Sequence, residues 1–259
     1  MADILAPLPA IGMSHDLFEA GADRLLTGLR KFSREGVRTS PDERDLIDFE
    51  RDNPGIAEKI HVAINVVAPA RDWEGITSSL EALLRAGYRN FVVNEHGLLQ
   101  LITRSFPEAS PSVSVGLCAI NPYDALFLER LGARSMVMPL IASPGDIAEI
   151  KRVSKIAVEV FAICRAEPVT QGKCMLAGYL LAGDASAAAP LRSSKKTGLC
   201  HTVCRGILGS HPDHDITGNI GDWVDAGVDV FKIEGRYRKL EEIVGMVKKV
   251  REALERAGR

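Results

Sequence analysis

Ala226-Gly227-Val228-Asp229-Val230-Phe231-Lys232-Ile233 is the stretch on which the reading of this chain turns. A helix-like segment ends at a glycine, and an apolar run begins almost at once. The phrase occurs three more times, in Ala20-Gly21-Ala22-Asp23, Ala86-Gly87-Tyr88-Arg89 and Leu131-Gly132-Ala133-Arg134. A glycine just past a helix end takes the left-handed conformation, and a short apolar run after it reads as a strand buried on both faces. Helix, glycine, strand, repeated, is the pattern of α/β units around a parallel sheet.

Outward from these phrases the sequence predicts eight strands, over 4–8, 24–28, 60–67, 90–94, 112–116, 135–139, 157–162 and 230–234. Amphipathic helices are predicted over 41–51, 73–85, 123–130, 144–153 and 240–257, the last with Ile243, Val244, Val247, Val250 and Leu254 on one stripe. Eight alternating strands and helices in 259 residues predict one domain, a (β/α)8 TIM-like barrel over 1–259. An open doubly wound sheet is the structural alternative, and no Gly-x-Gly-x-x-Gly follows the first strand to support it. The alternation fails once, over 163–229, which reads as an insertion after strand seven. An insertion there emerges at the C-terminal rim, where active sites of this fold are built.

That insertion holds four of the five cysteines, Cys164, Cys174, Cys200 and Cys204, spaced C-x9-C-x25-C-x3-C. Four clustered thiolates suit an iron–sulfur cluster or zinc. Zinc sites prefer two short knuckles, and only the last pair resembles one, so the spacing favours iron–sulfur and keeps zinc as the alternative. Cys118, at the end of the fifth strand, reads as a small packing residue. A net charge of −2 argues against a strong non-specific nucleic-acid binder. The absence of a leader, of a membrane-spanning run and of disulfide-type cysteine usage predicts a cytoplasmic protein with no membrane span. There is no G-x-S-x-G elbow and no His-Glu-x-x-His, so hydrolysis of peptides is the third reading.

Ile4-Leu5-Ala6-Pro7, Glu19-Ala20-Gly21-Ala22-Asp23, Glu95-His96-Gly97-Leu98-Leu99, Cys200-x3-Cys204-Arg205 and Phe231-Lys232-Ile233-Glu234-Gly235-Arg236 occur in order along the chain. With these motifs it resembles peptidase family U32, the collagenase-like family that includes oxygen-independent hydroxylases. The resemblance implies a barrel with a 4Fe–4S cluster on Cys164, Cys174, Cys200 and Cys204. It further implies hydroxylation without dioxygen, with prephenate as oxygen donor. The short chain directs the expectation to a small aromatic substrate, a quinone precursor, with a homologous partner subunit. Hydroxylation of a tRNA or rRNA base, with RNA as partner, is the alternative.

Within that reading Glu234, Lys232 and Arg236 are the catalytic candidates. Asn65, Glu95 and Glu159, near strand C-termini, and Arg205 beside the last cysteine are the substrate-binding candidates. An Arg or Lys would pair with a dicarboxylate such as prephenate. The competing reading of Lys232 and Glu234 is an internal ion pair that closes the barrel. His211-Pro212-Asp213-His214-Asp215 reads as a polar turn, and Arg192–Lys196 as a solvated charge run.

Overall fold

The computed structural model describes residues 2–33, 40–165, 213–235 and 238–258. Its strands are β1 (Asp3–Pro7), β2 (Arg24–Gly28), β3 (Ile60–Ile64), β4 (Asn90–Val93), β5 (Ser110–Val113), β6 (Ser135–Val137), β7 (Ala157–Cys164), β8 (His214–Asp215) and β9 (Val230–Ile233). Its α-helices are α1 (Ser14–Glu19), α2 (Glu43–Asp52), α3 (Trp73–Arg85), α4 (His96–Ser105), α5 (Pro122–Arg130), α6 (Pro144–Val153), α7 (Ile220–Asp225) and α8 (Leu240–Arg256). Strands β1 to β7 and β9 pair in parallel, and the ring shuts where β9 lies between β7 and β1. This is the closed eight-stranded barrel that the sequence predicts, and the open sheet is excluded.

The four glycine phrases do the same physical work four times. Gly21, Gly87, Gly132 and Gly227 all have φ between +92° and +106°. In each, the glycine N–H bonds three residues back and the next N–H five residues back, for example Gly227 to Val224 O and Val228 to Trp223 O. These paired bonds satisfy the last helical carbonyls and turn the chain straight into a strand. Two of the phrases continue into an aspartate that ties the neighbouring strand. Asp23 accepts from Ile4 N and Asp229 from Val158 N, both at 2.7 Å. Each aspartate also pairs with a helix cation, Arg251 for Asp23 and Lys151 for Asp229.

Apolar side chains divide into two cores. The larger lies between barrel and helices and includes Ile4, Ile60, Val62, Phe91, Met136 and Phe231, with Ile243, Val247, Val250 and Leu254 of α8 against it. The smaller fills the barrel itself with Leu5, Leu26, Ala63, Val92 and Val230. Capping defines several helix starts. Asp42 with Asp45, and Ser143 with Asp146, form reciprocal caps for α2 and α6.

Several sequence expectations need correction. Strand seven does not stop at 162; β7 runs on to Cys164, with an irregularity between Phe161 and Ile163, so Cys164 belongs to the barrel. The expected insertion over 163–229 is also too long at its far end. Asp215 and His214 form β8, antiparallel to β7, and α7 restores the barrel pattern before β9. The polar turn read at 211–215 is therefore partly a strand. Cys118 is exposed and left-handed, with φ 54°, and is no packing residue.

Glycine substitutions separate turn from helix interior. A Cβ at Gly132 would be strained by its φ of +92° and would lie 2.7 Å from Thr103 Cγ2. Gly132→Ala should therefore cost about 1–2 kcal/mol in urea unfolding. Gly245 lies inside α8 with open space around it, so Gly245→Ala should leave stability unchanged or raise it by up to about 1 kcal/mol.

Candidate functional site at the barrel mouth

Inward positions alternate along each strand, so β3 presents His61, Ala63 and then Asn65, and β9 presents Val230, Lys232 and then Glu234. At the C-terminal end these rows wall a cavity of about 60 Å³, to which Asn65, Ser114, Phe161, Lys232 and Glu234 all contribute. That space admits a few waters or the edge of a ligand, well short of a whole drug-sized molecule. Three of the sequence candidates, Asn65, Lys232 and Glu234, thus meet in one place.

Glu159 does not reach this wall. It lies one layer deeper, 1% exposed, and its carboxylate is held by two partners. Oε1 accepts from Ser135 Oγ at 2.6 Å, and Ser135 Oγ also lies 2.6 Å from Ser112 Oγ. Oε2 faces Lys232 Nζ at 3.5 Å. The buried ion pair is therefore Lys232–Glu159, and not the Lys232–Glu234 pair that competed with the catalytic reading. Lys232 and Glu234 share a strand face but stand about 7 Å apart along it. Glu159 is sealed from water and requires the counter-ion, whereas Glu234 is half-buried at the mouth. The Lys232 ammonium also lies 5.9 Å from the centre of the Phe161 ring, a cation–π contact.

Burial alone would push the Glu159 carboxyl up. The charge of Lys232 and the Ser135 hydrogen bond outweigh it, holding Glu159 below the ordinary carboxylate value. His61 moves the other way from its usual role as a neutral-pH titrator. Burial, helped by Lys232 and Arg24 and opposed by Glu159, lowers it to about 4. Neither of its ring nitrogens has a hydrogen-bond partner.

Glu95 starts α4, and its carboxylate accepts from Ala68 N at 3.4 Å, bracing the loop after β3. Cys164 is buried at the rim end of β7, opposite His214 of β8. Cys174, Cys200, Cys204, Arg205 and Arg236 lie outside the described residues, and among the described residues no three metal-ligating side chains converge.

Sequence reasoning missed His61, Ser112, Ser135 and Asn94. Their signal was available: a polar side chain at an inward position of an otherwise apolar strand. Asn94, fully buried after β4, has an amide without a hydrogen-bond partner. It also explains Gly116, where a Cβ would fall 1.9 Å from Asn94 Oδ1, so this loop tolerates only glycine as built.

The model of peptidase family U32 matches residues 12–259. The chain belongs to this family. A tRNA hydroxylation protein P of Escherichia coli (strain K12) is 22% identical over 207 residues, 78% of this chain and 43% of that protein. A 23S rRNA 5-hydroxycytidine synthase of the same organism is 26% identical over 265 residues, 98% of this chain and 39% of that protein. The chain thus spans about two fifths of the length of either relative. In fold it is similar to the U32 peptidase Mk0906, with a TM-score of 0.58, 12% identity and coverage of 91% of this chain and 93% of that one. These relatives overturn the expectation of a quinone precursor and a small aromatic substrate, since their names specify hydroxylation of RNA. The chain length that suggested the quinone type carried no information about substrate.

Acid should destabilise the protein in a defined window. A histidine lowered from 6.5 to about 4 refuses, when folded, a proton that the unfolded chain accepts. Stability is full above pH 6.5 and falls by about 3 kcal/mol as pH drops to about 4. The lowered Glu159 adds a further loss below the ordinary carboxylate range. Urea midpoints measured against pH should show this slope, and His61→Gln should flatten it between pH 6.5 and 4. At neutral pH Glu159→Ala, which strands the Lys232 charge, should cost about 3–5 kcal/mol.

Proposed function

We propose that this U32 chain hydroxylates a base in RNA without dioxygen, using the barrel mouth as the reaction site. The observation that carries the reading is the alignment with the tRNA- and 23S rRNA-hydroxylating relatives over 78% and 98% of the chain. The cavity supports it chemically. Lys232 is already balanced by Glu159, so its ammonium offers a donor more than an unmatched positive charge. Beside it Asn65 supplies both a donor and an acceptor and Glu234 an acceptor, a set suited to the carbonyl and amino edge of an uncharged base.

In this reading Lys232 orients and polarises the base by donating to its carbonyl edge, Asn65 fixes that edge, and Glu234 accepts a hydrogen bond from its amino group. Cys164, Cys174, Cys200 and Cys204 would hold a 4Fe–4S cluster, which would supply one-electron redox chemistry. Arg205 and Arg236 belong with an anionic oxygen donor, for which the family resemblance implies prephenate. The barrel wall at Leu26, Val92 and Val137 excludes bulk water from below.

Two measurements test this. Anaerobically purified protein should be brown and contain iron and sulfide, and Cys200→Ala should remove the colour; a colourless zinc protein would sink the cluster assignment. Nucleosides from tRNA and rRNA of cells with and without the gene should differ by one pyrimidine that carries an added oxygen. Lys232→Met should lower that modification at least about hundredfold, and unchanged RNA in the gene-deleted cells would overturn the reading.

A further inference from the structure

The barrel interior below the cavity contains one more ionisable group than its ion pair requires. Glu159, Lys232 and His61 are all buried there. Ser135 anchors Glu159 through Oε1, but Oε2 has only the Lys232 ammonium, at 3.5 Å, and no short hydrogen bond. Charge-assisted hydrogen bonds normally measure about 2.7–2.9 Å, so this pair is in contact but not locked. Lys232 also borders the cavity, so its arm spans both environments.

His61, on the inner face of β3, interacts electrostatically with both members of the pair, and its two ring nitrogens are unpartnered. The other charge that acts on it is Arg24 of β2, which Asp3 of β1 engages at 2.7 Å. A sealed carboxylate cannot lose its cation without taking another or becoming protonated. If Lys232 turns to a ligand, the groups left to answer are Glu159 itself and His61. An imidazolium keeps the favourable charge pair, whereas a protonated Glu159 would forfeit it.

We propose that His61 is the reserve cation of the barrel interior: when a ligand draws the Lys232 ammonium into the cavity, His61 takes up one proton from solvent and pairs with Glu159. Only an N–H bond forms, the carboxylate keeps its charge, and the interior returns to neutrality. Any ligand with an oxygen acceptor for Lys232 then binds with the uptake of one proton and binds more tightly as pH falls. His61 acts here through Glu159 and Lys232 as a positioning residue. The inference is independent of which base or RNA is the substrate.

The test needs no ligand. Nuclear magnetic resonance of histidine-labelled full-length protein, with the His61 signals assigned by their loss in His61→Gln, reads the ring's protonation directly. In the unaltered protein His61 should be neutral at pH 6. In Lys232→Met, which withdraws the ammonium permanently, its titration midpoint should rise by about two pH units or more. Lys232→Arg should keep it neutral, and Lys232→Met combined with Glu159→Gln should abolish the rise. Lys232→Gln carries the same expectation as Lys232→Met should the latter not fold. An imidazolium already present at pH 6 in the unaltered protein overturns the proposal. So does a His61 that stays neutral in Lys232→Met, whether nothing titrates or Glu159 takes the proton instead. Failure to find RNA modification would leave all these outcomes unchanged.

Discussion

Closure of the ring at β9 is the constraint on which the rest depends. A parallel barrel has no free edge only if its last strand pairs with both the seventh-placed and the first, and β9 does so with β7 and β1. Closing it encloses an interior in which every polar group needs a partner from another strand. Ser112, Ser135, Glu159 and Lys232 meet that demand as a chain from β5 through β6 and β7 to β9. The same side chains that make closure tolerable also deliver Lys232 to the cavity. Stability and the candidate chemistry therefore share one seam.

Much of the scaffold was legible because local signals and tertiary demand agree. Each helix–Gly–strand phrase contains its own stop, turn and buried run, and α3 and α6 fall on the predicted 73–85 and 144–153. Helix α4 escaped notice because Glu95 makes no side-chain cap and His96-Gly97 is a weak opening. Strand β8 is two residues long and antiparallel, too short for any periodic signal. The site was less legible because side-chain destinations are set by register. In sequence Glu159 reads as a residue near a strand end, but it is the third residue of β7, level with Val230 of β9, and so lies deep in the barrel. That depth, invisible in the sequence, is what brings it to Lys232.

The family's name and the chemistry of its barrel point in different directions. A peptidase nucleophile needs an oriented base, and the buried network here offers instead a neutral imidazole, a paired carboxylate and hydroxyls directed at one another. Such a set holds charge in place.

The β7–β8 pairing has a consequence for how such a barrel can diversify. Cys164 and His214 face each other in register, so the chain departs from the rim and rejoins it at adjacent points. Loop-closure entropy grows only with the logarithm of length once the two ends are fixed together. The stretch between them is therefore a cassette with a defined socket. Its length can change at little entropic cost to the eight-stranded ring, because the pairing of β7 with β8 keeps its two ends joined.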